Sequence, residues 1–214
     1  MKEGWELKKL GEVCEIYSGG TPDSKKTEYW NGNIPFVTLV DTKSRYVYST
    51  IRTITDEGLK KSSAVLLPID TVLLSSRATI GEVAIAKVPL VTNQGYKNFV
   101  CNTEVILPEY LYYGLLSLKD YLTSMCNGAV YAEISKQKVS EIKIPLPTLP
   151  EQQRIVEMLD TAFAKIDTVK QNAERNLQNA KELFQSVLEF ELTLKDGWEE
   201  KKLPQISDNL DSKR

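Results

Sequence analysis

Arg77 closes an apolar run behind Ser75 and Ser76, and Asn93, Gln94 and Lys97 form a polar cluster between two apolar segments. These are side-chain types that read nucleic-acid base edges. Asn and Gln match the paired donor and acceptor of adenine, while Arg and Lys match guanine or a phosphate. Each position also has a purely structural reading. An arginine at a strand end pairs with a carboxylate, and an asparagine in a tight turn bonds its own backbone. The sequence leaves both readings open. Ser18-Gly19-Gly20-Thr21-Pro22 is glycine-rich but lacks the lysine pattern of a phosphate-binding loop, which argues against a nucleotide site. Its Ser18 and Thr21, with Ser76, are candidate hydroxyl contacts. Lys25 with Lys26, Lys60 with Lys61, and Arg45 beside Tyr46 and Tyr48 bring positive charge near aromatic rings. Singly each is a solvated surface, whereas a subset lining one face would form a phosphate track.

Catalytic alternatives fail for want of residues. The chain has no histidine, which removes Ser-His-Asp and Cys-His sites and most catalytic zinc sites. Glu141-Ile142-Lys143, with Pro68-Ile69-Asp70 upstream, fits the carboxylate and lysine pattern of a nuclease. In a chain that is 26% charged, such triplets arise by chance. No catalytic residue, metal site or cofactor is expected. Cys14, Cys101 and Cys126 form no C-x-x-C pair and no disulfide framework, so they read as small buried hydrophobes in a reduced cytoplasm. Met1 to Trp5 lacks the apolar core of a signal peptide, and no stretch approaches the roughly 20 apolar residues of a membrane helix. The net charge of −2 gives no global signal for nucleic acid, but phosphate contact needs only a local basic face.

The elements that must position these residues fall into two kinds. Residues 1–145 read as an irregular α+β domain of short strands, turns and a few helices, without βαβ alternation. Strand patterns cover Ile34 to Val40, Tyr46 to Ile54, Ala64 to Leu67, Thr71 to Leu74 and Val83 to Ala86, with weaker ones at Leu90 to Thr92 and Phe99 to Cys101. Asn31-Gly32-Asn33 reads as a turn. Helices are predicted from Thr55, as N-cap, to Lys61, from Glu109 to Thr123 behind Pro108, and over Ser135 to Ser140.

The prolines of Ile144-Pro145-Leu146-Pro147-Thr148-Leu149-Pro150 then favour an extended strut, with Pro150 opening a helix. From Glu151 to about Glu191 there is neither proline nor glycine. Heptad steps give one seam of Ile155, Ala162, Val169, Asn176 and Leu183, and another of Leu159, Ile166, Ala173, Ala180 and Val187. Every position but Asn176 is apolar, which predicts a coiled-coil helix of about 60 Å over 146–193. The alternative is a long amphipathic helix packed on its own domain. Gly197-Trp198-Glu199-Glu200-Lys201-Lys202-Leu203 then repeats Gly4-Trp5-Glu6-Leu7-Lys8-Lys9-Leu10 with one change. Such an echo marks a duplicated unit, and residues 194–214 read as the opening of a second repeat.

Taken in order, these motifs resemble the specificity subunit of type I restriction-modification systems. The matching stretches are Gly4 to Glu12, Ser18 to Pro22 running on to Glu28-Tyr29-Trp30-Asn31-Gly32 and Ile34-Pro35-Phe36-Val37, Leu73 to Gly81, Thr92 to Lys97, and Ile144 to Val156. The resemblance covers residues 4 to about 203. It implies a target-recognition domain followed by a long helix, in a protein that normally carries two of each. It implies a non-catalytic DNA-binding subunit that partners a methyltransferase subunit and a restriction subunit. No Asn-Pro-Pro-aromatic motif of an amino-methyltransferase is present. With one recognition domain and one helix, the simplest closure is a homodimer with antiparallel helices, centred near residue 173, reading an inverted bipartite site. The competing reading is a coiled-coil interaction module that binds no DNA.

Overall fold

The computed structural model describes residues 4–77, 79–125, 133–193 and 201–202. Cys126 and most of the expected second repeat, including Gly197 to Glu200 and Leu203, lie outside the described residues. Two compact units are formed, Met1–Asp160 and Thr161–Arg214.

Along the chain come β1 (Glu6–Lys9), α1 (Leu10–Val13), β2 (Cys14–Ser18), β3 (Trp30–Val37), β4 (Tyr46–Val47), β5 (Arg52–Ile54) and α2 (Asp56–Lys60). Next are β6 (Val72–Ser75), β7 (Val83–Ala86), β8 (Val91–Thr92), β9 (Tyr96–Cys101), α3 (Pro108–Ser117) and α4 (Lys119–Ser124). The last elements are α5 (Lys136–Ser140), β10 (Lys143–Leu146) and α6 (Leu149–Leu192). The strands form a five-stranded sheet in the order β2-β9-β6-β7-β4, a three-stranded sheet β5-β3-β8, and the pair β1-β10. Most pairings are antiparallel, but β3 with β8 and β4 with β7 are parallel. The architecture is α+β.

The inner strands β6 and β7 are buried on both faces, which explains why they read as nearly continuous apolar runs. Side chains alternate across a strand. Val72 and Leu74 therefore join Val83, Ile85 and Phe99 against α1, α3, α4, α5 and the start of α6. Leu73, Ala84, Ala86 and Tyr96 face the other way, onto Val37, Leu67 and Leu90. A third cluster of Phe36, Ile54 and Val91 belongs to the three-stranded sheet. Cys14 and Cys101 are register partners across β2 and β9, free thiols with the Cys14 Sγ–H donating to the Cys101 Sγ at 3.7 Å.

Several expectations change. The strand expected over Ile34 to Val40 instead runs Trp30–Val37, and Asn31-Gly32-Asn33 is its bulge rather than a turn. Asn31 takes φ +61°, and the register with β5 shifts between Trp30 and Ile34. Tyr46 to Ile54 divides into two short strands, and Ala64 to Leu67 supplies only an isolated bridge from Leu67 to Leu90. The helix expected over Glu109 to Thr123 breaks at Leu118 into α3 and α4. Thr55 does cap α2, its hydroxyl accepting from the Gly58 N–H at 3.1 Å, and Ser135 caps α5. The proline segment is partly strand: β10 pairs with β1 from Glu6↔Leu146 to Lys9↔Lys143.

Helix α6 has 44 residues, about 66 Å at 1.5 Å per residue. Its first turns belong to the globular unit. Gln152 and Val156 are buried there, and Ile155 and Leu159 are half-buried. Gln152 accepts the Leu107 N–H at 2.9 Å and donates to the carbonyls of Val105 and Pro147, both at 2.9 Å. In the second unit, the helix residues from Thr161 onward are exposed, with Leu188 alone half-buried. The seam residues Ile166, Val169, Leu183 and Val187 all stand in solvent.

Candidate nucleic-acid interface

Strand direction gathers the polar candidates. Parallel pairing of β3 with β8 brings both strands to an end side by side, at Thr38 and Asn93, and the Asn93 N–H donates to the Val37 carbonyl at 3.2 Å. Antiparallel pairing opposes Ser18 to Lys97 and Ser75 to Tyr96, so β2 and β6 finish where β9 begins. Ser18 to Thr21, Thr38, Ser76, Arg77 and the turn Asn93 to Gly95 therefore share one edge.

Short backbone bonds weld this edge together. Gly19 N–H donates to the Tyr96 carbonyl at 3.1 Å, Gly20 N–H to Thr92 at 2.9 Å, and Ser76 N–H to Gly95 at 2.7 Å. The loop lies flush on the turn: a Cβ on Gly19 would stand 1.8 Å from the Asn93 carbonyl oxygen. The glycines of this loop thus serve a close backbone approach rather than a phosphate cradle.

Asn93 uses its side-chain oxygen to accept the Gly95 N–H at 2.8 Å, which is the turn alternative left open by the sequence. Its amide nitrogen has no protein partner among the described residues. Gln94 is exposed and accepts a hydrogen bond from the Thr21 hydroxyl. Ser76 is fully buried and donates from its hydroxyl to the Gly95 carbonyl at 3.0 Å.

Arg77 and Lys97 converge on one carboxylate. Glu133 Oε2 accepts from Arg77 Nε at 2.9 Å and from Nη2 at 2.6 Å, while Oε1 accepts from Lys97 Nζ at 2.9 Å. The Lys97 side chain is only 2% exposed, whereas those of Arg77 and Glu133 are 44% and 34% exposed. Burial pushes the Glu133 carboxyl upward, but the hydrogen bonds from Lys97 and Arg77 outweigh it and hold the group below its ordinary range. Lys97 differs from the surface role expected of it: its ammonium faces inward and supports this pair.

Other candidates stand elsewhere. Lys25 and Lys26 are exposed beside the 3-10 turn Thr27–Tyr29, at the opposite end of β3 from Thr38. The Lys26 ammonium donates to the Tyr29 hydroxyl at 3.2 Å. Arg45 sits against α3 and α6. It is ion-paired with Asp160, and its guanidinium lies 5.0 Å from the ring centroids of Tyr46, Tyr112 and Tyr113. Sequence reasoning missed Glu133, whose partner Arg77 is 56 residues away. It missed Asp41 too, which accepts the Thr38 and Ile51 N–H groups at 2.8 and 2.9 Å and so fixes the loop beyond β3.

Strand-end loops bearing guanidinium, amide and hydroxyl side chains thus share one edge of the globular unit. The chain belongs to the family described as the type I restriction modification DNA specificity domain, whose model matches residues 2–177. It is 35% identical over 94% of its length to the type I restriction enzyme MjaIX specificity subunit of Methanocaldococcus jannaschii, covering 51% of that protein. Its fold matches a chain from the type I R-M system, in work on complex assembly and conformational transition, with TM-score 0.74, 26% identity and coverage of 88% and 46% of the two chains. It also matches the HsdS subunit from Thermoanaerobacter tengcongensis, with TM-score 0.67, 26% identity and coverage of 88% and 45%. The chain spans about half the length of the relatives it matches.

Proposed function

We propose that the chain reads double-stranded DNA sequence without catalysing a reaction on it. It would lend that specificity to a separate methyltransferase subunit, joined in the complete enzyme by a restriction subunit. The observation that carries this reading is the convergence of Ser18, Thr21, Arg77, Asn93 and Gln94 on one welded edge, in a chain of this family. Support also comes from the relatives, which are specificity subunits of type I restriction enzymes. Arg77, Asn93 and Gln94 address base edges, and Ser18 and Thr21 address base or backbone. Ser76 and Lys97 support them from beneath. Lys25 and Lys26 meet phosphates, and Arg45 serves the fold. Residues 1–145 are the target-recognition segment, 146–193 the spacer and dimerisation segment, and 194–214 the opening of a second repeat. The protein acts in the cytoplasm, and among the described residues no helix is long and apolar enough to cross a membrane.

The seam of α6, exposed from Ala162 onward, supports a homodimer. In an antiparallel pair, matching the first seam row to the second sets Ile155 against Val187, Leu159 against Leu183, Ala162 against Ala180, Ile166 against Asn176 and Val169 against Ala173. Every seam position is then matched about an axis at Gln171, close to the expected residue 173. Such a dimer carries one recognition domain at each end and reads an inverted repeat with an uncontacted spacer.

Two measurements test the reading. The purified chain, incubated with DNA and labelled S-adenosylmethionine, should transfer no methyl group, while its DNA affinity should fall steeply with salt. Transfer without a partner subunit would refute it, and salt-insensitive association would favour the coiled-coil module without DNA binding. Sedimentation should give a dimer that Ile166→Asp with Ala173→Asp splits. A monomer for the unaltered chain at micromolar concentration removes the dimer.

A further inference from the structure

The Arg77, Glu133 and Lys97 cluster is built in a way that the requirements of folding leave unexplained. Guanidinium carries five N–H donors in a planar fork. Glu133 takes those of Nε and one of Nη2. The remaining donors, on Nη1 and Nη2, meet no other partner among the described residues. Two of these, one on each Nη, lie side by side at the end of the fork, and the third, on Nη1, lies on the Cδ side. The Arg77 stem stands beside the turn that carries Asn93 and Gln94: its Cβ is 4.0 Å from where a Cβ on Gly95 would be.

The carboxylate is itself held from behind. Lys97 lies in β9, is 2% exposed, and bonds Glu133 at 2.9 Å with Ser76 Oγ 3.3 Å away. The Ile134 N–H donates to the Ser76 carbonyl at 3.2 Å, so the chain next to Glu133 is tied to the end of β6. Two cations and one anion leave the cluster with net positive charge, so it does not repel a phosphate backbone. A surface ion pair made only for stability would contribute little, and it would not need a buried lysine as its support.

We propose that Glu133 is the positioning residue for base readout by Arg77, taking the Nε side of the guanidinium and leaving its end to donate to O6 and N7 of one guanine in each half-site. Guanine alone presents two acceptors to the major groove in the spacing that the fork matches. Restricting the side chain to one rotamer before binding lowers the ordering cost and penalises any base that offers a donor there. This inference rests on the DNA-binding reading of the edge.

The full chain, used to partition duplexes with randomised positions, tests it by sequencing of the bound pool. The unaltered chain should select guanine at one position per half-site. Glu133→Gln should lower that preference about tenfold, leave the other positions unchanged, and leave non-specific affinity equal or raised. Arg77→Lys keeps the charge but not the fork, and should lose the preference at the same position. Glu133→Asp retains the charge on a shorter stem and should show a smaller loss, which keeps the test alive if Glu133→Gln does not fold. If Glu133→Gln instead strengthens binding to every duplex with the guanine preference intact, the carboxylate is an autoinhibitory latch and the proposal is overturned. Effects of Glu133→Gln and Arg77→Lys at different positions overturn it too. Absence of any salt-dependent binding by the unaltered chain overturns the DNA reading and this inference with it.

Discussion

Arg45 and Arg77 are both ion-paired arginines, and their surroundings give them different work. Arg45 is sealed. Its side chain is 19% exposed, its Nη1 donates to the Tyr113 hydroxyl at 3.3 Å and to Asp160, and three tyrosine rings surround it. Burial opposes its charge, but the Asp160 hydrogen bond and charge more than compensate, so its pKa is raised. Burial, followed by the bond to Asp160, also drives the Tyr113 hydroxyl upward. Arg77 has one carboxylate, a buried lysine behind that carboxylate, and an open front. The Arg45 Nε and Nη2 groups are buried among the rings without a hydrogen-bond partner among the described residues, whereas the remaining Arg77 donors face an open side, as the proposed base contact requires. Charge and partner type are the same in both places; what differs is the number of faces covered, and the proposed base contact needs the open one.

Breaking the clamp side should cost most. Gln152 is fully buried and satisfies three backbone groups. Gln152→Leu preserves volume but strands the Leu107 N–H and the carbonyls of Val105 and Pro147. The expected loss is about 3–5 kcal/mol, since each unsatisfied buried group costs roughly 1–3 kcal/mol. Urea denaturation followed by circular dichroism reads it, and a loss below about 1 kcal/mol would mean that the root of α6 is held by packing alone. Arg45→Ala should cost about 1–2 kcal/mol, mainly through lost contact with the three tyrosine rings, since the Asp160 carboxylate is 44% exposed and stays solvated. DNA discrimination by the refolded variant should be unchanged, and a shift in base preference would erase the distinction between the two arginines.

The reader side should respond in the opposite sense. Arg77→Ala should change stability by no more than about 0.5 kcal/mol, as expected for an exposed pair. Discrimination between sites should fall by about 1–3 kcal/mol, and Asn93→Ala with Gln94→Ala should act similarly. Competition binding against single-base variants of the selected site measures both. The pair also has a pH signature. The Glu133 carboxyl is depressed in the folded state, so its stabilisation is present above the ordinary carboxylate pKa of about 4.3 and is lost as pH falls through the lower folded value. The stability difference between the unaltered chain and Glu133→Gln should therefore be constant near neutrality and close below about pH 4. A difference that grows on acidification contradicts the ion pair.

What the sequence disclosed divides along the same line. Local signals were legible: the heptad seam without proline or glycine, the Thr55 cap, and the apolar run at Val83 to Ala86. The bulge at Asn31 was misread because its turn residues sit inside a strand, where only the pairing with β5 shows their register. Strand β1 escaped notice because Glu6-Leu7-Lys8-Lys9 carries little apolar pattern and is fixed by a partner near the far end of the globular unit. Of the candidate site the sequence disclosed residue types only: Arg77, Asn93, Gln94 and Thr21 do meet on one edge. Its internal wiring was not legible, because Glu133 lies 56 residues from Arg77, and Asp160 lies 115 residues from Arg45. Neither separation leaves a periodic trace.

Lys25 and Lys26 provide the smallest expected effect and the finest test of the edge. Both are exposed at the end of β3 remote from Thr38, so they are too far along the strand to share a base contact with Arg77. A phosphate contact there would anchor the duplex without reading it. Lys25→Ala with Lys26→Ala should then weaken binding to all sequences alike and reduce the slope of log affinity against log salt by about 2, one for each lost phosphate contact. Stability should not move measurably, although the loss of the Lys26 bond to Tyr29 allows a few tenths of a kcal/mol. A lowered slope with unchanged base preference places these lysines on the phosphate track. An unchanged slope confines the track to the edge around Arg77, and a changed base preference means that the reading surface extends along β3 instead of ending with it.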